Sequence, residues 1–210
     1  MKKIILSILA FITLANPLLA EGMVGAKIGI GEINAENDAY TSGSTSISSQ
    51  SGDADNPYGA FFAELEIPSV EGLSIGLEYV PFTASIRLDK GESSTGADVD
   101  DYTTLYALYM KEAGGGSVYF KAGYSHADIG TVTNSNGTTV NSQDDSLQGP
   151  MIGFGFQTNE LMNGIVARVE ATYTDIEDVN ITTTSNGASS VKKTGSAEIT
   201  TFSFSLAKSF

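Results

Sequence analysis

The chain has 210 residues, no cysteine, one histidine and a formal net charge of −14. Without cysteine there is no disulfide framework, thiol metal site or lipid-modified cysteine anchor. An excess of 25 acidic over 11 basic residues argues against a nucleic-acid partner, whose phosphates require Lys and Arg.

Residues 1–20 have the layout of a cleaved secretory signal peptide. Lys2 and Lys3 form a short positive region, and Ile4 to Ala15 form a twelve-residue apolar stretch. Asn16-Pro17 breaks the helix, and Leu18-Leu19-Ala20 offers a small residue for cleavage before Glu21. The apolar stretch is shorter than the ~20 residues a membrane-crossing helix needs. The mature domain is therefore expected over residues 21–210, at a net charge of −16.

From there the chain alternates with period two, and no apolar pattern of period 3.6 persists. Eight strand-like runs follow: Met23–Ile33, Tyr58–Ile67, Leu73–Leu88, Tyr102–Lys111, Val118–Ala127, Met151–Thr158, Ile165–Thr174 and Ala197–Phe210. Most approach the 9–11 residues with which a tilted strand crosses a bilayer. Pro81 interrupts the third run, and a bulge is expected there.

The connections between runs alternate strictly in length. Long ones lie at Asn34–Pro57, Asp89–Asp101, Asp128–Gly149 and Asp175–Gly195. Short ones lie at Pro68–Gly72, Glu112–Gly116 and Asn159–Gly164. A transmembrane barrel with long extracellular loops and short periplasmic turns has that pattern, and a soluble sandwich has no reason for it.

One face of the runs is apolar and often aromatic. It carries Val24, Ala26, Ile28 and Ile30 in the first run, Phe61, Ala63, Leu65 and Ile67 in the second, and Tyr79 in the third. Phe120 and Tyr124, Phe154 and Phe156, Tyr173, and Phe202 and Phe204 continue it. The other face carries charges and seven glycines, including Gly25, Gly76, Gly123 and Gly155. Glycine weakens a strand, but inside a narrow barrel it leaves room for long charged neighbours. The fold class that follows is all-β: a closed antiparallel up-and-down transmembrane barrel of eight strands. Ten remain open if Leu73–Leu88 or a connection hides another hairpin. The fourth run is ambiguous, because Tyr102, Thr104, Tyr106, Leu108 and Met110 alternate as well as Leu105, Ala107 and Tyr109 do.

Several segments resemble the small outer-membrane β-barrel family of OmpA-type, OmpX-type and opacity-protein-like barrels. They are Val24-Gly25-Ala26-Lys27-Ile28-Gly29, Ile75-Gly76-Leu77-Glu78-Tyr79, Phe120-Lys121-Ala122-Gly123-Tyr124 and Ala167-Arg168-Val169-Glu170-Ala171-Thr172-Tyr173. The final strand, with Phe202, Phe204, Leu206 and terminal Phe210, is similar to the signal read by the barrel-assembly machinery; Lys208 stands where the family usually carries a hydrophobic residue. The resemblance implies residence in the outer membrane, contact with its lipid and lipopolysaccharide, a monomer, and surface partners such as host cells or phage.

Inward-facing charges are the main candidate site. Lys27, Glu64, Glu66, Glu78, Lys121, Arg168 and Glu170, joined in one reading by Lys111, share the polar face. They could line a low-conductance pore. Near-balance of sign and the narrow bore of eight strands favour an internal salt-bridge plug instead. Acidic clusters at Asp53-Ala54-Asp55, Asp98-Val99-Asp100-Asp101, Asp144-Asp145 and Asp175-Ile176-Glu177-Asp178 are read as solvated loop segments; none has the spacing of a dedicated calcium loop. Ser125, His126 and Asp128 cannot form a catalytic set, because neighbouring strand residues point to opposite faces. No metal, cofactor or catalytic residue is expected. The function that follows is structural and surface-interacting through four extracellular loops, with a porin-like channel as the alternative.

Overall fold

The computed structural model describes residues 21–42, 45–90, 93–134, 139–142, 146–184 and 191–210. Eight antiparallel walls form one sheet: β1 (Gly22–Asn37), β2 (Gln50–Glu66), β3 (Leu73–Val80, resumed at Ala84–Lys90), β4 (Ser93–Glu112), β5 (Gly116–Asn134), β6 (Ser146–Thr158), β7 (Ile165–Thr184) and β8 (Val191–Ser209). Each wall pairs with its neighbours in sequence, and β1 pairs with β8 from Met23–Ser209 to Asn37–Gly195. That last ladder closes the barrel through its membrane-spanning part. The strand count is eight, not ten. The signal peptide expected over 1–20 and the Asp144-Asp145 pair lie outside the described residues, as do the side chains of Asp98 and of 84–88.

Periplasmic turns are as short as the sequence implies. Gly72 and Gly164 take φ values of 76° and 75°, a conformation that glycine reaches without steric cost. On the opposite side the strands run much further than expected. β2 begins at Gln50, β4 at Ser93, and β7 continues to Thr184. Asp53–Asp55 and Asp175–Asp178, expected in loops, are therefore strand residues. Once the strands leave the membrane, Ser-, Thr- and Asp-rich sequence still completes the backbone ladder, because paired backbone groups satisfy one another whatever the side chains. A short hairpin, Tyr40–Ser42 with Thr45–Ile47, caps one of these extensions.

Pro81 breaks β3 as expected. Residues 81–83 leave the ladder; the second segment of β3 pairs with β4 alone, and β2 pairs with β3 only from Phe61–Tyr79 to Glu66–Ser74.

The outer wall is apolar. Ile28, Ile30, Phe61, Leu105, Phe120, Phe154, Phe202 and Phe204 are all exposed, and Phe154 reaches 70 %. On β8 the outward residues run Lys208, Leu206, Phe204, Phe202, Thr200, Glu198. Nine residues lie between the two charges, matching the 9–11 of a membrane-crossing strand. Exposed Glu32, Asp55, Asp175 and Glu177 continue the upper boundary around the wall. Outer-wall charges are costly in hydrocarbon, so this acidic collar marks where the membrane ends.

β4 settles its ambiguity. Leu105 and Tyr109 face outward, while Thr104, Tyr106 and Leu108 are buried inside. Tyr79 departs from the expected lipid-facing set: it is 4 % exposed, and its hydroxyl donates to the Asp101 carboxylate. Asp101 sits at a register shift between β4 and β5 with φ 54°, which turns it toward Tyr79.

Candidate functional site

The lumen holds six of the seven expected charges as two connected layers. Nearest the periplasmic end, Arg168 on β7 reaches across to Glu64 on β2, its two terminal nitrogens donating to Oε1 and Oε2 at 2.7 Å each. Tyr106 donates to the same Glu64 Oε1 at 2.8 Å, and Arg168 Nε donates to Gln157 Oε1 at 2.7 Å. The guanidinium lies 5.4 Å from the Phe62 ring centre and 5.3 Å from that of Tyr119. Planar bidentate pairing combined with ring stacking is a geometry arginine provides and lysine does not.

One step further out, four side chains form a square. Lys27 donates to Glu78 Oε2 at 2.7 Å and Glu170 Oε1 at 2.5 Å; Lys121 donates to the same two oxygens at 2.8 and 3.3 Å. Tyr119 closes it, donating to Glu170 Oε2 at 3.1 Å, while the Lys121 ammonium stands 3.9 Å from the Tyr106 ring centre. All six charged residues are less than a tenth exposed. Three acids face three bases, so the cluster is neutral although the chain is strongly acidic. Buried ions are tolerable on these terms, each paired and each hydrogen-bonded.

Two expected members are elsewhere. Glu66 faces the lumen side but lies exposed at the periplasmic mouth, beside Glu21, Ser74 and Phe210; it lines the same mouth as Glu64 and Arg168 without joining their ion pair. Lys111 has the parity of Leu105 and Tyr109, so it stands on the exposed outer wall.

The aromatic part of the site was absent from the sequence expectation. Phe62, Tyr106 and Tyr119 fill the space between the charges, and they alternate in parity with the lipid-facing residues beside them, which is the signal that marks them. The inner-face glycines make room for rings more than for charged chains. A Cβ at Gly76 would stand 2.4 Å from the Tyr106 ring, one at Gly155 2.4 Å from the Tyr119 ring, and one at Gly25 2.4 Å from the Phe62 ring.

Above the square lies a layer of hydroxyls. Tyr102 donates to Ser125 Oγ at 2.9 Å and sits 3.2 Å from Thr174 Oγ1; Tyr58 donates to Thr201 at 3.3 Å, and Thr201 meets Thr172 at 2.7 Å. Ser125 is fully buried here, while His126 points outward, half exposed and 3.5 Å from Asp128. The serine and the histidine thus lie on opposite sides of the wall. Among the described residues, no three His, Asp or Glu side chains are placed to share a metal ion. The expected assembly residues Phe202, Phe204 and Leu206 face outward on β8, and Phe210 pairs its backbone with Gly22 at the mouth.

Closed topology, apolar belt and filled polar interior define a small eight-stranded outer-membrane β-barrel. Solved structures of that class are similar in fold. OprG from Pseudomonas aeruginosa superposes with a TM-score of 0.67 at 13 % identity, covering 90 % of this chain and 96 % of that one. AlkL gives 0.57 at 12 % identity with 90 % of each chain covered, and Neisserial surface protein A gives 0.51 at 14 %, covering 90 % and 97 %. No protein-family model matches the sequence, and no curated protein matches it in sequence. At these identities the likeness is one of fold: a closed eight-stranded transmembrane barrel.

Proposed function

We propose that this barrel is a non-conducting structural and surface-interacting protein, whose four extracellular hairpins make its contacts while its lumen is plugged. The observation that supports the plug is the neutral six-charge cluster spanning the bore between β1, β2, β3, β5 and β7, with every charge buried and paired. An ion crossing it would have to break pairs formed in a low-dielectric interior, where a broken pair leaves an uncompensated charge. Support for the surface role comes from strands that continue past the acidic collar and carry polar sequence outward. The collar would lie among lipopolysaccharide head groups, and the outward series Phe202, Phe204, Leu206 with Phe210 would be read by the barrel-assembly machinery.

Hairpin truncation tests the surface role. Each extracellular hairpin is cut back to the collar in turn, keeping the membrane belt, and cells are compared for adhesion and phage adsorption. Loss of one phenotype with one hairpin is expected. Unchanged behaviour for all four truncations, with the barrel still in the membrane, would overturn the reading.

A further inference from the structure

The outer half of the lumen is unlike the rest of it. Above the hydroxyl layer the wall turns apolar again: Ile33, Val80, Val99, Met151, Ile176 and Ile199 line a chamber whose floor is Glu78, Lys121 and Tyr102. None of these apolar residues faces lipid, and a solvated mouth gives no reason for them. Ile33, Val99, Met151 and Ile176 are all less than a tenth exposed, so they line a formed cavity. Its volume is about 110 Å³. An engineered apolar cavity of roughly 150 Å³ holds a benzene molecule, which sets the scale of what fits.

One polar atom in this wall lacks a partner. Asn56 on β2 belongs to the chamber wall, but its Nδ2, the sole buried polar side-chain atom without a hydrogen bond among the described residues, is sealed from any water-sized space and does not open into the chamber. Buried donors are ordinarily satisfied. The floor, in contrast, has no free charge: Lys121 and Glu78 are committed to their ion pairs. Apolar walls, the hydroxyls of Tyr58, Tyr102, Thr104, Thr172 and Thr201 already bonded within the lumen, and a neutralised floor together describe the complement of a small, uncharged, largely apolar molecule.

We propose that the chamber is a binding site for a neutral, largely apolar molecule of about one ring, entering from the extracellular side, whose body packs on Val80, Val99 and Ile176. A charged molecule of the same size is rejected, because its desolvation meets no unpaired counter-charge. The site stands whether or not the floor conducts.

Phenol is the probe, titrated calorimetrically into the full mature barrel in lipid nanodiscs, with empty nanodiscs subtracted to remove partition into lipid. Saturable binding to the barrel is expected, with benzoate at least tenfold weaker. Val80→Phe and Ile176→Phe, each filling the chamber, are expected to abolish binding; using both keeps a result available if one fails to fold, as judged by heat-modifiable migration on gels. No saturable heat above empty nanodiscs overturns the proposal, as does unchanged affinity in a folded chamber-filling variant. Benzoate binding as tight as phenol overturns the assignment of ligand class.

Discussion

Arg168 and Glu64, 104 residues apart in the chain, are locked face to face across the lumen by two parallel 2.7 Å hydrogen bonds. Removing one partner leaves the other buried and unpaired, which costs about 3–5 kcal/mol. Arg168→Met should therefore lower the urea midpoint of the refolded barrel sharply. The double variant Arg168→Met with Glu64→Gln should regain much of the loss, because no net charge is then left buried. A double variant as unstable as Arg168→Met alone would show that the pair is not the source of the effect.

Lys121 carries two carboxylates and an aromatic face at once. Lys121→Met should destabilise by a similar ~3–5 kcal/mol, since Glu78 and Glu170 would then share Lys27 alone. Equilibrium unfolding in detergent micelles is the measurement. A change under 1 kcal/mol would mean that water enters the square and replaces the ammonium.

Gly76→Ala and Gly155→Ala place a methyl group against the Tyr106 and Tyr119 rings, and at Gly155 against the Val169 carbonyl as well. Overpacking of this kind costs ~1–3 kcal/mol. Gly115→Ala, with nothing within 4 Å of the added carbon, should be neutral within ~0.5 kcal/mol. Thermal midpoints of the three variants decide it, and equal shifts would refute the close-packing explanation of the inner glycines.

Position on the outer wall gives a depth gauge. Phe204→Arg lies midway between Lys208 and Glu198 and should cost ~2–4 kcal/mol, while Thr200→Arg, next to the collar, should cost ~0–1 kcal/mol. Comparable losses at both positions in lipid bilayers would contradict the placement of the membrane boundary.

The wall was legible because period-two alternation survives in a single sequence: a one-residue slip exchanges every lipid-facing and lumen-facing side chain. Lys27, Glu78, Lys121, Arg168 and Glu170 followed from parity alone. Parity does not report depth, however. Glu66 has the parity of Glu64 but stands one step nearer the mouth, where water replaces protein partners. Strand ends were misjudged for a related reason. The Ser-, Thr- and Asp-rich stretches lose their apolar alternation on leaving the membrane, yet their backbone ladders continue. Tyr79 and Asp101 were unreadable, because the register shift that joins them is a property of the β4–β5 ladder and not of local sequence. The apolar chamber was hidden for yet another reason: its six apolar residues come from six strands, one from each, and no single run displays it.

Single-channel recording in planar bilayers tests the sealed lumen most directly. The purified barrel should give no reproducible conductance steps at moderate voltage, while Glu64→Ala, which opens the Arg168 layer, should give them if it folds. Reproducible steps from the unmodified protein, altered in size or ion selectivity by Lys121→Met, would contradict the plug.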